Sequence, residues 1–154
     1  MTNIMTNYNE KIIPKIMEET GVKNTLALPK IDKITINVGA AEGLANKEVL
    51  EKIKDQLTII SGQKPRVTLA KKSISTFKLK QYDPIGVMVT LRGKKAWDFL
   101  DKFISVVVPR IRDFRGLDDS KFDDHGNYSI GFPEQSIFPY LEYSKIDKAR
   151  GMVV

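Results

Sequence analysis

The chain has 154 residues, 42% of them apolar and none of them cysteine, so it can bury a core without disulfides and cannot build thiolate metal sites. Twenty-five Lys and Arg against nineteen Asp and Glu leave a net charge of +6 and a pI near 9.4, which bears on partners rather than on fold. The longest apolar runs are far too short to cross a bilayer, and MTNIMTNYNE lacks the layout of a secretory signal; a soluble cytoplasmic protein with no membrane partner, forming one domain over 1–154, is expected.

Residues 1–7 are polar and expected to be disordered. Ile12, Ile13, Ile16 and Met17 then recur at helical spacing until Gly21, which predicts an amphipathic helix with Pro14 tolerated in its first turn. In KITINVG, Ile34, Ile36 and Val38 alternate with Thr35 and Asn37, the pattern of a strand with one buried and one open face. Asn46 caps a helix over 47–60, where Val49, Leu50, Ile53, Leu57 and Ile60 form one stripe that Gly62 closes. Residues 66–69 read as a short strand, followed by a long basic connection to Pro84. Alternation returns at Ile85, with Val87, Val89 and Leu91 on one side and Met88, Thr90 and Arg92 on the other. Residues 95–108 place Trp97, Leu100, Ile104 and Val107 on a helical face that Phe99 and Phe103 widen, with Pro109 as the stop. The last third reads as loops, with a β-pair around Phe122 and 128–130 turned by HGN, and GMVV opens a further strand.

The most informative stretch is SGQKPRVTLAKKSISTFKLKQ, residues 61–81. It carries Lys64, Arg66, Lys71, Lys72, Lys78 and Lys80 without one acid, together with the hydrogen-bonding groups of Ser73, Ser75, Thr76 and Gln81 and the aromatic face of Phe77. Such a surface suits a polyanion with oxygen acceptors and stackable bases, and RNA fits that description; a mobile, solvated basic loop is the plainer alternative. If the two alternating strands share a sheet whose apolar side packs on the helices, Thr35, Asn37, Thr90 and Arg92 emerge together on the opposite side, with Lys94 and Lys95 beside them. Arg110, Arg112 and Arg115 form a second cationic group, suited to phosphate or to pairing with Asp118, Asp119, Asp123 and Asp124.

Six segments, ITINVG, SGQKP, KKSISTFK, PIGVMVTLRG, VPRIRDFRGL and GNYSIGFPEQSIFP, together resemble one family: the large-subunit ribosomal protein number five, which binds 5S rRNA in the central protuberance. The resemblance implies an α+β fold, an antiparallel sheet with helices packed on one face, an open polar face and a long basic loop. It implies 5S rRNA contacts at Asn37, Gln63, Thr90 and Arg92, with Thr35, Lys64 and Arg66 alongside. The basic loop, including Lys71, Lys72, Ser73, Ser75, Thr76, Phe77, Lys78 and Lys80, would approach peptidyl-site tRNA. Arg110, Arg112 and Arg115 would pack on large-subunit rRNA or join an intersubunit bridge to a small-subunit head protein. Members of the family continue beyond RGM, whereas this sequence ends at Val154, which leaves the final sheet edge open.

A freestanding RNA-binding or RNA-chaperone module is the alternative reading. For an enzyme there is little: His125 is the only histidine, and DDHG is explained by a turn rich in Asp and Gly. No cofactor, metal or catalytic residue is expected.

Overall fold

Two alternating segments supply the heart of a sheet. In a computed structural model that describes residues 4–111, 114, 116–142 and 146–154, β1 (Lys33–Gly39), β2 (Arg66–Leu69), β3 (Pro84–Arg92), β4 (Gly131–Phe132) and β5 (Met152–Val153) form one antiparallel sheet in the order β2-β3-β1-β5-β4. Seven residue pairs register β1 against β3, from Lys33 opposite Arg92 to Gly39 opposite Gly86. Because strand side chains alternate, that register turns Ile36, Val38, Val87, Val89 and Leu91 to one side, where all are buried. There they meet Leu50, Ile53, Leu57 and Ile60 of the middle helix and an aromatic group of Phe99, Phe103, Phe132 and Phe138, so the architecture is α+β.

The middle helix, Lys47–Ser61, starts where expected: the Asn46 side chain accepts the Glu48 N–H at 2.9 Å, and Gly62 ends it at φ +65°, where a side chain would be strained. The N-terminal helix departs from expectation. Ile4–Asn7, inside the stretch expected to be disordered, is helical, and the helix continues through Tyr8–Ile12 and Ile13–Thr20. Pro14 therefore lies well inside a helix rather than in its first turn. The chain accommodates it by widening: Tyr8–Ile12 is a π-type turn, with the Ile13 N–H reaching back five residues to the Tyr8 carbonyl. Tyr8 fixes this helix to the body, its hydroxyl donating to the Pro29 carbonyl at 2.7 Å and its ring centroid 5.0 Å from that of Trp97.

The helix after β3 runs Lys94–Lys102, widens into a π-type segment at Phe103–Val107 and tightens at Val108–Arg110. Its buried face is Ala96, Phe99, Phe103 and Val107, while Ile104, expected inside, is exposed and Trp97 and Leu100 are half-buried. The aromatic group sets this face: Phe103 lies edge-on to Phe132 at 5.7 Å and Phe99 stacks with Phe103 at 5.9 Å.

The C-terminal strand is not at the edge of the sheet. β5 sits between β1 and β4, with Val153 opposite both Asn37 and Gly131. A polar knot holds it there. Arg150, only 7% exposed, donates to both Asp147 oxygens at 2.7 and 3.1 Å and to Glu42 at 3.2 Å, and Lys148 pairs with the other Glu42 oxygen. Buried Gln135 accepts the Arg150 N–H at 2.6 Å and donates to the Lys148 carbonyl at 2.9 Å. The Arg150 guanidinium holds the Asp147 carboxyl down at about 2, and Lys148 and Arg150 lower that of Glu42.

Candidate nucleic-acid interface

The same register that buries the apolar side chains fixes what stands on the other side of the sheet. Thr35 faces Thr90 across β1 and β3, Lys33 faces Arg92, and Met88 lies between Asn37 on β1 and Arg66 on β2. Thr35, Asn37, Thr90 and Arg92 thus share one face, as their spacing predicted. Asn37 and Arg92 are exposed and the two threonines half-buried.

A shallow, open concavity of about 500 Å³ lies over these rows. Lys33, Thr35, Gln63, Lys64, Arg66, Met88, Thr90 and Arg92 line it, and none of its lining residues is acidic. The SGQKP turn supplies its wall. Ser61, buried at the helix end, donates to the Leu57 carbonyl at 2.6 Å and accepts the Gln63 N–H at 3.2 Å, while the Gln63 amide donates to the Thr90 carbonyl at 2.9 Å. Arg66 lies against the Met88 sulfur at 3.5 Å. Four cations around a floor of hydroxyl, amide and thioether groups can hold phosphates at the rim and sugar or base edges in the middle. Lys33 escaped the sequence reading although it has the parity of Thr35 and Asn37; counting the alternation one step earlier would have found it.

The basic connection carries its own backbone pairing. Its base is closed by Ala70 N–H to the Asp83 carbonyl at 2.8 Å and Tyr82 N–H to the Ala70 carbonyl at 2.9 Å. Ile74 and Leu79 exchange backbone hydrogen bonds of 2.9 and 3.1 Å around a turn at Ser75–Phe77, and Lys78 adopts φ +52° to complete it. Ser73 and Gln81 serve this fold directly: the Ser73 hydroxyl accepts the Gln81 N–H at 2.9 Å, and the Gln81 amide donates to the Lys71 carbonyl. Lys71, Lys72, Ser75, Thr76 and Lys78 are exposed, and Phe77 at 73% and Tyr82 at 70% present bare aromatic faces. Tyr82 was not singled out from sequence; it lies just past the basic run.

Arg110 is exposed at the end of its helix, whereas Arg112 and Arg115 lie outside the described residues. Asp118 and Asp123 are engaged in their own turns. Asp118 accepts the Ser120 N–H, and Asp123 accepts the Asn127 side-chain and backbone N–H groups at 2.8 and 2.7 Å and the His125 N–H at 2.9 Å; these bonds lower both carboxyls. This closes the expected pair, Phe122 bridged to Tyr128, and explains DDHGN as turn chemistry. No cluster with metal-ligand composition occurs among the described residues, and among them no helix is long and apolar enough to cross a membrane.

Comparison with known proteins shows the family. A family model described as "Ribosomal protein L5" matches residues 24–80, and a second model, for the C-terminus of the same ribosomal family, matches residues 84–154. Similar curated proteins, each called large ribosomal subunit protein uL5, include that of Buchnera aphidicola subsp. Cinara cedri, 49% identical over 99% of this chain and 85% of its own length. That of Thermoanaerobacter sp. is 46% identical over the same shares, and that of Cupriavidus taiwanensis 50% identical over 94% of this chain and 81% of its own.

Proposed function

The chain belongs to the ribosomal protein L5 family and is a structural constituent of the large ribosomal subunit rather than an enzyme; from that premise we propose that it binds 5S rRNA through the open face of its sheet and anchors it in the central protuberance. The observation that carries this reading is the acid-free concavity, in which Lys33, Lys64, Arg66 and Arg92 surround Thr35, Thr90 and Gln63 on one side of β1 and β3. Cations at the rim supply affinity for phosphate, and the neutral polar floor supplies the contacts that tell one RNA from another. The folded basic loop, with Lys71, Lys72, Lys78 and Lys80 around exposed Phe77, approaches peptidyl-site tRNA. The VPRIRDFRGL and GNYSIGFPEQ regions, 108–117 and 126–135, pack on large-subunit rRNA or meet a small-subunit head protein. The protein acts on cytoplasmic ribosomes.

Purification of the tagged chain followed by sequencing of the retained RNA tests the reading. Enrichment of 5S rRNA is expected, together with co-sedimentation with large subunits after a moderate salt wash. Free sedimentation with a mixed RNA population would instead identify a freestanding RNA-binding module.

A further inference from the structure

On the open face, Met88 of β3 completes a row that runs from Asn37 on β1 to Arg66 on β2. It is half-buried and lines the concavity, whereas Met152 is buried in the core and Met5 and Met17 belong to the N-terminal helix. The Arg66 Nη2 donates to its sulfur, with nitrogen and sulfur 3.5 Å apart. A thioether is a weak acceptor, so this contact steadies the guanidinium without saturating it, and its other donors stay available for phosphate.

One added oxygen atom reverses that balance. The sulfur electron pair attacks one oxygen of hydrogen peroxide: the O–O bond breaks, an S–O bond forms, and the second oxygen leaves as water with both protons. Sulfur is oxidised by two electrons and the peroxide reduced by two, and the product sulfoxide is polar where the thioether was not. Its oxygen accepts strongly and lies within reach of a guanidinium already aimed at the sulfur. It also brings partial negative charge into a concavity that no acidic residue lines. Resting on the reading that this face holds 5S rRNA, we propose that Met88 is an oxidation site whose sulfoxide draws Arg66 off phosphate and so weakens the RNA contact.

Hydrogen peroxide treatment of the full chain, followed by peptide mass mapping and by filter binding to 5S rRNA across a salt series, tests this. Met88 should gain one oxygen atom. Affinity should fall roughly tenfold, and the slope of log affinity against log salt should become shallower by about 0.7 to 0.9, the loss of one phosphate contact. Methionine sulfoxide reductase supplied with a dithiol, which removes the oxygen as water while two thiols become a disulfide, should restore both. Met88→Leu keeps the volume and removes the sulfur. Whatever its starting affinity, peroxide should leave that affinity unaltered, which separates Met88 from oxidation of Met5 and Met17. Arg66→Ala should likewise show no further change of slope on oxidation, and it supplies the readout if the leucine variant does not fold. A Met88 that peroxide leaves unoxidised, or a Met88 sulfoxide that binds with the affinity and slope of untreated protein, overturns the inference while leaving RNA binding intact. Failure of untreated protein to retain 5S rRNA overturns the reading beneath it.

Discussion

The proposed division of labour on the open face makes a quantitative claim about salt. Lys33, Lys64, Arg66 and Arg92 ring the concavity, and each phosphate neutralised adds about 0.7 to 0.9 to the slope of log affinity against log salt, so these four predict a slope near −3. Raising salt from about 50 to about 200 mM then weakens 5S rRNA binding roughly a hundredfold. Lys33 and Arg92 face each other across β1 and β3 and are exposed, so replacing both with Ala should leave the fold intact and halve the slope, cutting the same salt penalty to about tenfold. Thr35→Val with Thr90→Val removes two hydroxyls from the facing pair between β1 and β3 and keeps strand-forming shape. Each lost hydrogen bond costs about 1 kcal/mol at every salt concentration, with the slope unchanged. Filter binding across a salt series reads both effects. Threonine changes that flatten the slope as much as the cation changes do, or a cation change that leaves it unaltered, would refute the assignment.

Other consequences follow from the packing. Leu91 is fully buried on the apolar side, and Leu91→Ala should cost about 2–5 kcal/mol in chemical denaturation. A side chain at Gly86 would stand 2.7 Å from the Val38 carbonyl oxygen and 2.8 Å from the Thr68 hydroxyl; Gly86→Ala should therefore separate β1 from β3, lowering stability by about 1–3 kcal/mol and weakening RNA binding with it. Phe77→Ala, at an exposed loop tip, should change stability by less than about 0.5 kcal/mol and spare 5S rRNA affinity while reducing crosslinking of the loop to peptidyl-site tRNA. Asp147 has its folded carboxyl held at about 2 by Arg150, below its ordinary 3.8. Its contribution to stability is therefore complete above 3.8 and is lost as pH falls through about 2. Acid unfolding followed by circular dichroism should show Asp147→Asn less stable than wild type at neutral pH and closest to it at the acid end of that window.

The open face was legible because period-two alternation decides both sides of a strand at once: placing Ile34, Ile36 and Val38 on the core side also placed Thr35 and Asn37 on the other. The π-type turns were not legible, since the pattern reading assumed an unbroken helical period; a Pro inside the first helix and an aromatic cluster under the third reset it. Least legible was the knot at the C-terminus, because its members lie far apart in the chain: Arg150 meets Gln135 fifteen residues away and Glu42 more than a hundred residues away. Composition suggests no such meeting, and Glu42 and Arg150 each read as an ordinary surface charge.

That knot bears on function through register. β5 joins β1 by only two residue pairs, Asn37 with Val153 and Val38 with Met152, and a slip of one residue would turn Val153 into the core and Met152 out beside Asn37. A buried guanidinium is a weak source of net stability, because removal from water opposes the gain from its carboxylates; an apolar side chain of similar size would do as well on that count. What an apolar side chain lacks is direction. Arg150 meets Asp147, Glu42 and, through its N–H, Gln135 at fixed angles, so the strand two residues on has one position relative to Asn37. In this sense the C-terminal knot helps set the face of β1 proposed to meet RNA, although none of its residues lines the concavity there.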